Sequence, residues 1–314
     1  MLQIRWISLI KWWYSISLFD EISQDKHPHL DSTFVAIRDN DFNADIRNNL
    51  NQIWDTVGES VDPRLPKMIE SDFHAGAWEI YLAEVLHRNN LPLVKWKNRP
   101  TKTAGADFYT ENGLWIEATV ARDGEGDDAV PEPPKNIVYT VPEDLIILRL
   151  SNSIQKKHQQ HCKWLEQGII KQNQPYCIAI NGRQIKSNIS EHDDSAPKIV
   201  KTVFPLGGLQ VEWNLETAEV IDSKYEYKDS ISKSSGASVE KRYFMDEAYS
   251  GISAILYSYE DIVNPPLIGE AGNSMIVIHN PLAQNPISDE VFSFANQFRA
   301  YKTKGSWTIS KIEA

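Results

Sequence analysis

The tightest constraint on this chain is the stretch Gly105-Ala106-Asp107-Phe108, which continues across Asn112-Gly113 into Trp115-Ile116-Glu117-Ala118-Thr119. Two runs of strand-forming residues separated by Asn-Gly read as a β-hairpin. Loop length then decides which side chains share a face. A two-residue loop, Asn112-Gly113, sets Asp107 opposite Ala118. A three-residue loop, Glu111-Asn112-Gly113, sets Asp107 opposite Glu117 and asks Gly113 for a left-handed conformation. The longer loop lines Asp107, Tyr109, Trp115, Glu117 and Thr119 on one face. Ala106, Phe108, Leu114, Ile116, Ala118 and Val120 then form an almost wholly apolar second face, so burial favours this register. Carboxylates opposed at a Cβ separation of roughly 5 Å repel one another. A cation between them turns the repulsion to use.

The preceding run, Asp72–Asn89, has apolar residues at helical spacing, with Ser71 or Asp72 as N-cap. At 3.6 residues per turn, Ala75, Leu82, Ala83 and Leu86 fall within about 60° of Glu79. Glu79 therefore stands inside the stripe expected to face the core, with Ala77, Tyr81, Glu84 and Arg88 outward. A carboxylate there costs several kcal/mol unless paired, protonated or metal-bound.

The elements follow in a definite order. After the helix come a short strand at Leu91–Lys97, the two hairpin strands, and a Gly-, Pro- and acid-rich loop at Gly124–Pro134. A second helix runs from Asp144–Leu150 to about Ile170, and a strand covers Gln174–Ile180. With acids in the first helix, second strand and third strand, Asp72–Gly182 resembles the PD-(D/E)XK nuclease superfamily, the restriction-endonuclease-like fold. The resemblance implies an α/β fold with an α-β-β-β-α-β core and a mixed sheet. It implies a metal-dependent phosphodiesterase or nuclease, Mg²⁺ or Mn²⁺ as cofactor, and nucleic acid as partner, DNA ahead of RNA. Carried across, Asp107 matches the first acid, Glu117 the acid of the tripeptide, and Glu79 the helix acid that orients a water. The chain departs from the pattern at Thr119, where the tripeptide has lysine. Lys157 on the second helix, near the stripe of Leu150, Ile154, His161 and Leu165, is the candidate for a migrated lysine; Lys156 is expected on the opposite side. The expected catalytic set is Glu79, Asp107, Glu117, Thr119 and Lys157, with the metal on Asp107, Glu117 and Glu79.

Other features bound the reading. The 314 residues carry a formal net charge of −11, which opposes a nucleic-acid role unless cations are concentrated locally. Lys95, Lys97, Arg99 and Lys102, with Trp96 among them, form one such stretch, and Arg149 is a further candidate for holding a phosphate. His158 and His161 lack a matching carboxylate and read as core or interface residues. Asp123, Glu125 and Asp127 lack the glycine and terminal glutamate of a calcium loop. No G-x-S-x-G occurs. Two cysteines, Cys162 and Cys177, are too few for a disulfide framework and suit a reducing cytoplasm. No apolar run is long enough to span a membrane; the aromatic opening Ile4–Phe19 is expected to pack on the body of the protein.

Three regions are expected: residues 1–70 as a mostly helical cap, with a helix near Asn43–Thr56; 71–182 as the nuclease-like core; and 183–314 as a β-rich extension on the same sheet. Strands are expected at Ile199–Phe204, Gly208–Trp213, Ser253–Ser258 and Ser274–His279, and a loop at Lys224–Lys241. The cap leaves a homodimer or a protein partner open. Two other classes stay open as well: an inactive descendant of the fold that binds or assembles, and a metal-dependent hydrolase of a small anionic substrate.

Overall fold

The structure, a computed structural model, describes residues 17–19, 29–101, 104–188, 196–263, 272–303 and 306–312. Residues 4–16 of the aromatic opening, Lys102 and the acidic cluster Glu191–Asp194 lie outside them.

A mixed seven-stranded sheet organises the fold. It runs in space β1 (Phe108–Tyr109), β2 (Trp115–Val120), β3 (Tyr176–Asn181), β8 (Ala254–Ser258), β9 (Ile276–His279), β10 (Asn296–Thr303) and β11 (Ser306–Ile312). Strands β2, β3 and β8 are parallel, β9 runs against β8, and β10 lies parallel to β9. The sequence explains which strands are central. Tyr-Cys-Ile-Ala-Ile-Asn and Ile-Val-Ile-His are buried at every position, as strands covered on both faces must be. Strands β8 to β11 thus extend the same sheet, while two shorter strand pairs between residues 206 and 240 form sheets of their own.

Helices cover both faces. On one side α1 (Ser32–Asp39), α2 (Ala44–Val57), α3 (Leu65–Met68) and α4 (Phe73–Arg88) share a core with Phe108, Ile116, Ala118, Cys177 and Ala179. On the other, α5 (Glu143–Glu166) and α6 (Lys198–Val203) share one with Trp115, Tyr176, Ile178 and Ile180. Asp72 caps α4, accepting from the Ala75 amide at 3.1 Å. The outward face expected of α4 is largely covered: Ala77, Tyr81 and Glu84 are buried and α2 packs on the helix, while Arg88 alone of the four is exposed. Glu84 is held there by Arg88, one turn on, at 2.5 Å.

Four local expectations fail. Leu91–Lys97 forms no strand; it makes one bridge, Leu93 to Thr110, and then turns into a short helical turn at Trp96–Asn98. Asn90 at φ 57° bends the chain into this segment, and Pro92 has no amide to donate. Ile199–Phe204 is helix α6. Its β-branched run is too short to fix a period; Pro197 starts the helix, and packing on α5 wins. Lys224–Lys241 is structured: β4 (Leu206–Trp213) pairs with β5 (Val220–Tyr227), and β6 (Ser230–Ser232) turns through Gly236 into β7 (Ser238–Glu240). Ala106, assigned to the apolar face with Phe108, instead packs with Trp115 in the α5-side core, because it precedes the strand and escapes its alternation.

The hairpin register is the expected one. Phe108 lies opposite Ile116 and Tyr109 opposite Trp115, which sets Asp107 across from Glu117. Gly113 takes φ +83°, the conformation the three-residue loop needs. Gly113→Ala should therefore cost about 1–2 kcal/mol of stability, read as a lower urea midpoint with an unchanged slope.

Candidate active site

Strand β1 is only two residues long, and the reason shapes the site. Arg99 is buried at 4% exposure, stacked between Trp96 and Trp115, and its guanidinium donates to the carbonyls of Ala106 and Asp107. Those carbonyls are lost to the strand ladder. The Ala118 amide, left without a main-chain partner from β1, donates to Asp107 Oδ2 at 2.7 Å. The bond fixes the Asp107 carboxylate beside β2, one residue from Glu117.

Glu117 sits mid-strand at 3% exposure, on the face that packs against α5. Lys157 descends from α5, and its Nζ donates to Glu117 Oε1 at 2.5 Å. Glu117 Oε2 is buried with no hydrogen-bond partner. Thr119, two residues along the same face, is half-buried and borders a cleft of about 600 Å³ shared with Lys157. Glu79 comes from α4, which packs against β2 from the other side of the sheet, and is 8% exposed.

The charges interact strongly. Burial raises the Glu117 carboxyl to about 8, reinforced by Asp107 and opposed by Lys157. Burial also raises Asp107, against the pull of Lys157, the Ala118 amide and Arg99. Burial, then Asp107 and Glu117, lift Glu79 well above the usual carboxylate range. Burial works against the Lys157 ammonium, but Glu117 and Asp107 outweigh it and hold Lys157 above its ordinary value. Two buried acids, Glu79 and Glu117, and the half-buried Asp107 thus lie within electrostatic reach of Lys157 and the buried Arg99, an arrangement typical of sites that handle charge.

The five sequence-predicted residues therefore gather around β2, and the lysine placed by helix position does reach the acids. Among the described residues, no three His, Cys, Asp or Glu side chains form a ready metal-holding cluster. The donor chemistry nonetheless suits a hard divalent ion. The carboxylates destabilise one another in their charged forms, and Glu117 Oε2 lacks a partner.

Two of the described cations in the basic stretch near Trp96 are committed elsewhere. Arg99 is spent inside the fold, and Lys95 pairs with Glu59. The cations that do face the site were scattered in sequence. Arg122, Arg149 and Lys156 line the same cleft as Thr119 and Lys157. Lys156, expected to point away, joins them. His161 stacks on Tyr176 at 4.0 Å and His158 on Tyr249 at 4.2 Å, as core histidines do. Both cysteines are free, and no helix among the described residues is long and apolar enough to cross a membrane. No family model, curated protein or solved structure matches the chain.

Proposed function

We propose that the chain is a metal-dependent phosphodiesterase that cuts nucleic acid, DNA ahead of RNA, on a restriction-endonuclease-like core. The observation that carries this reading is the pairing of Asp107 with Glu117 across one hairpin, with the Lys157 ammonium on Glu117. The order α4, β1, β2, α5, β3 supports the same reading, with the single Leu93 bridge where the first strand would lie.

Asp107 and Glu117, assisted by Glu79, would hold Mg²⁺ or Mn²⁺. When bound, the ion supplies Lewis-acid charge at a phosphoryl oxygen and lowers the pKa of water. The protein's own groups do the rest. Lys157 brings a charged donor to the place where negative charge grows on the phosphate, the task the tripeptide lysine has in the family the core resembles. The Thr119 hydroxyl, at the border of the cleft, offers a neutral hydrogen bond to position water or a phosphate oxygen. Glu79, whose carboxyl is lifted well above the usual range by burial and by its acidic neighbours, would orient a water beside the ion.

The test is cleavage of plasmid DNA and of RNA with Mg²⁺, with Mn²⁺ and with EDTA. The reading expects metal-dependent cutting that EDTA stops and that Asp107→Ala abolishes without loss of the far-UV spectrum. Full activity of Asp107→Ala would refute the site. Folded protein that binds oligonucleotide but cuts under none of these conditions would instead make it an inactive descendant of the fold.

A further inference from the structure

The cleft beside the carboxylates holds a cation that is positioned but unused. Arg149 projects from α5 with its guanidinium laid over Gly124. A Cβ at Gly124 would fall 1.9 Å from Arg149 Nη1, and Gly124 has φ +84°, so both the space and the backbone at this position suit glycine alone. The arginine Nε is buried without a partner, and the guanidinium makes no hydrogen bond or ion pair among the described residues. An arginine normally fills its fork of donors. This one is held in place by packing and left open.

Most of its neighbours in the cleft share its sign, although Asp128 lies close enough to feel its charge. Lys156 and Arg122 line the same cleft, and Lys157 closes the end next to Glu117. Of the two acids at the rim, Asp123 is occupied by the Lys186 amide and by the Lys186 ammonium at 3.5 Å, and Glu125 is exposed to solvent. Arg122 is shared with Asp72 at 2.5 Å. The cleft is therefore cationic on a chain whose formal net charge is −11, and the positive charge stops where the carboxylates begin.

We propose that Arg149 and Lys156 form a phosphate-binding subsite that grips the backbone phosphate next to the one being cut. The proposal rests on the phosphodiesterase reading and adds where the strand lies: along the cleft between α5 and the loop after β2, entering the acids past Thr119. Arg149 fixes the phosphate geometry with its planar fork, Lys156 adds charge at the mouth, and Gly124 keeps the fork aimed. The ligand class is a phosphodiester strand. A free phosphate offers the same oxygens and is separated from it by the experiment.

The experiment measures binding with EDTA present, so that neither metal nor cleavage contributes. A labelled single-stranded oligonucleotide is titrated by fluorescence anisotropy with the full chain and with Arg149→Gln, Lys156→Gln and Lys163→Gln. Lys163 is an exposed lysine of α5 outside the cleft lining, and its variant controls for net charge. Arg149→Gln is expected to weaken binding about tenfold or more, and Lys156→Gln severalfold. The slope of log affinity against log salt should fall by about one in each. Lys163→Gln should stay within about twofold of the parent. Lys156→Gln, an exposed change, keeps the test valid should Arg149→Gln fail to fold. Equal losses in Lys163→Gln and the cleft variants would overturn the subsite. So would inorganic phosphate competing as strongly as unlabelled oligonucleotide, since the cleft would then be a site for a free anion. Arg149-dependent binding without cleavage would keep the subsite and sink the nuclease; cleavage with an unchanged KM in Arg149→Gln would do the reverse.

Discussion

Replacing Glu117 with glutamine is expected to lower Mg²⁺-dependent cleavage by about three orders of magnitude while making the metal-free protein more stable than the parent at pH 8. The first effect follows if Glu117 holds the ion. The second follows from the charge it carries without one. Its folded-state pKa, about 8, lies above its ordinary value of 4.5. A carboxyl raised in this way contributes its full stability below the ordinary value and loses it as pH climbs through the folded one. Between about pH 4.5 and pH 8, then, Glu117 makes the metal-free fold progressively less stable. Glutamine has the same shape and no charge, so that decline is removed. Burial raises Asp107 and Glu79 in the same direction, so part of the slope survives in the variant. Thermal melts in EDTA from pH 5 to pH 9 check this, with about 2–4 °C expected for each kcal/mol regained. A variant that is both inactive and less stable at pH 8 would show that Glu117 serves the fold rather than a cation.

The second large effect belongs to Lys157. Lys157→Met removes the cation from a buried pair, a change that ordinarily costs about 3–5 kcal/mol when the remaining charge is stranded. Here the stranded group can escape by taking up a proton, so the cost depends on pH. Near pH 6 Glu117 is already protonated and the loss is small. Without Lys157 its folded pKa rises further, so the decline due to Glu117 extends to higher pH in the variant than in the parent. Activity should fall with stability unimpaired at pH 6, which separates a chemical role from a structural one. The double variant Glu117→Gln, Lys157→Met should recover most of the stability lost at pH 8.5, because neither charge is then unpaired. A loss in Lys157→Met that is the same at every pH would break the link to Glu117.

What the sequence disclosed is what local physics decides. The hairpin and its register were legible because a period of two permits one burial pattern, and Asn112-Gly113 fixes the turn. Glu79 stood out as an acid among apolar neighbours, and Lys157 could be aimed by its place beside the Leu150 and Ile154 stripe. The rest depends on partners distant in the chain. Nothing in the sequence near Arg99 says that its guanidinium will replace part of a strand ladder. The cationic cleft draws Arg122 from one loop and Arg149 and Lys156 from a helix, so no stretch of sequence is basic enough to announce it. Gly124 is the one local signal of that cleft: a glycine in an acidic loop, needed at positive φ so that an arginine can lie across it. The helix at Lys198–Val203 is not legible in the sequence because six residues carry too little periodicity to oppose their β-branched content.

The central claim is that Asp107 and Glu117 are a cation site, and calorimetric titration of Mn²⁺ tests it most directly. The account predicts saturable binding to the folded chain that weakens as pH falls below 7, as the raised carboxyls take up protons, and that is lost in both Asp107→Asn and Glu117→Gln. Absence of binding by a folded parent at pH 8, or binding unchanged in either variant, would contradict it.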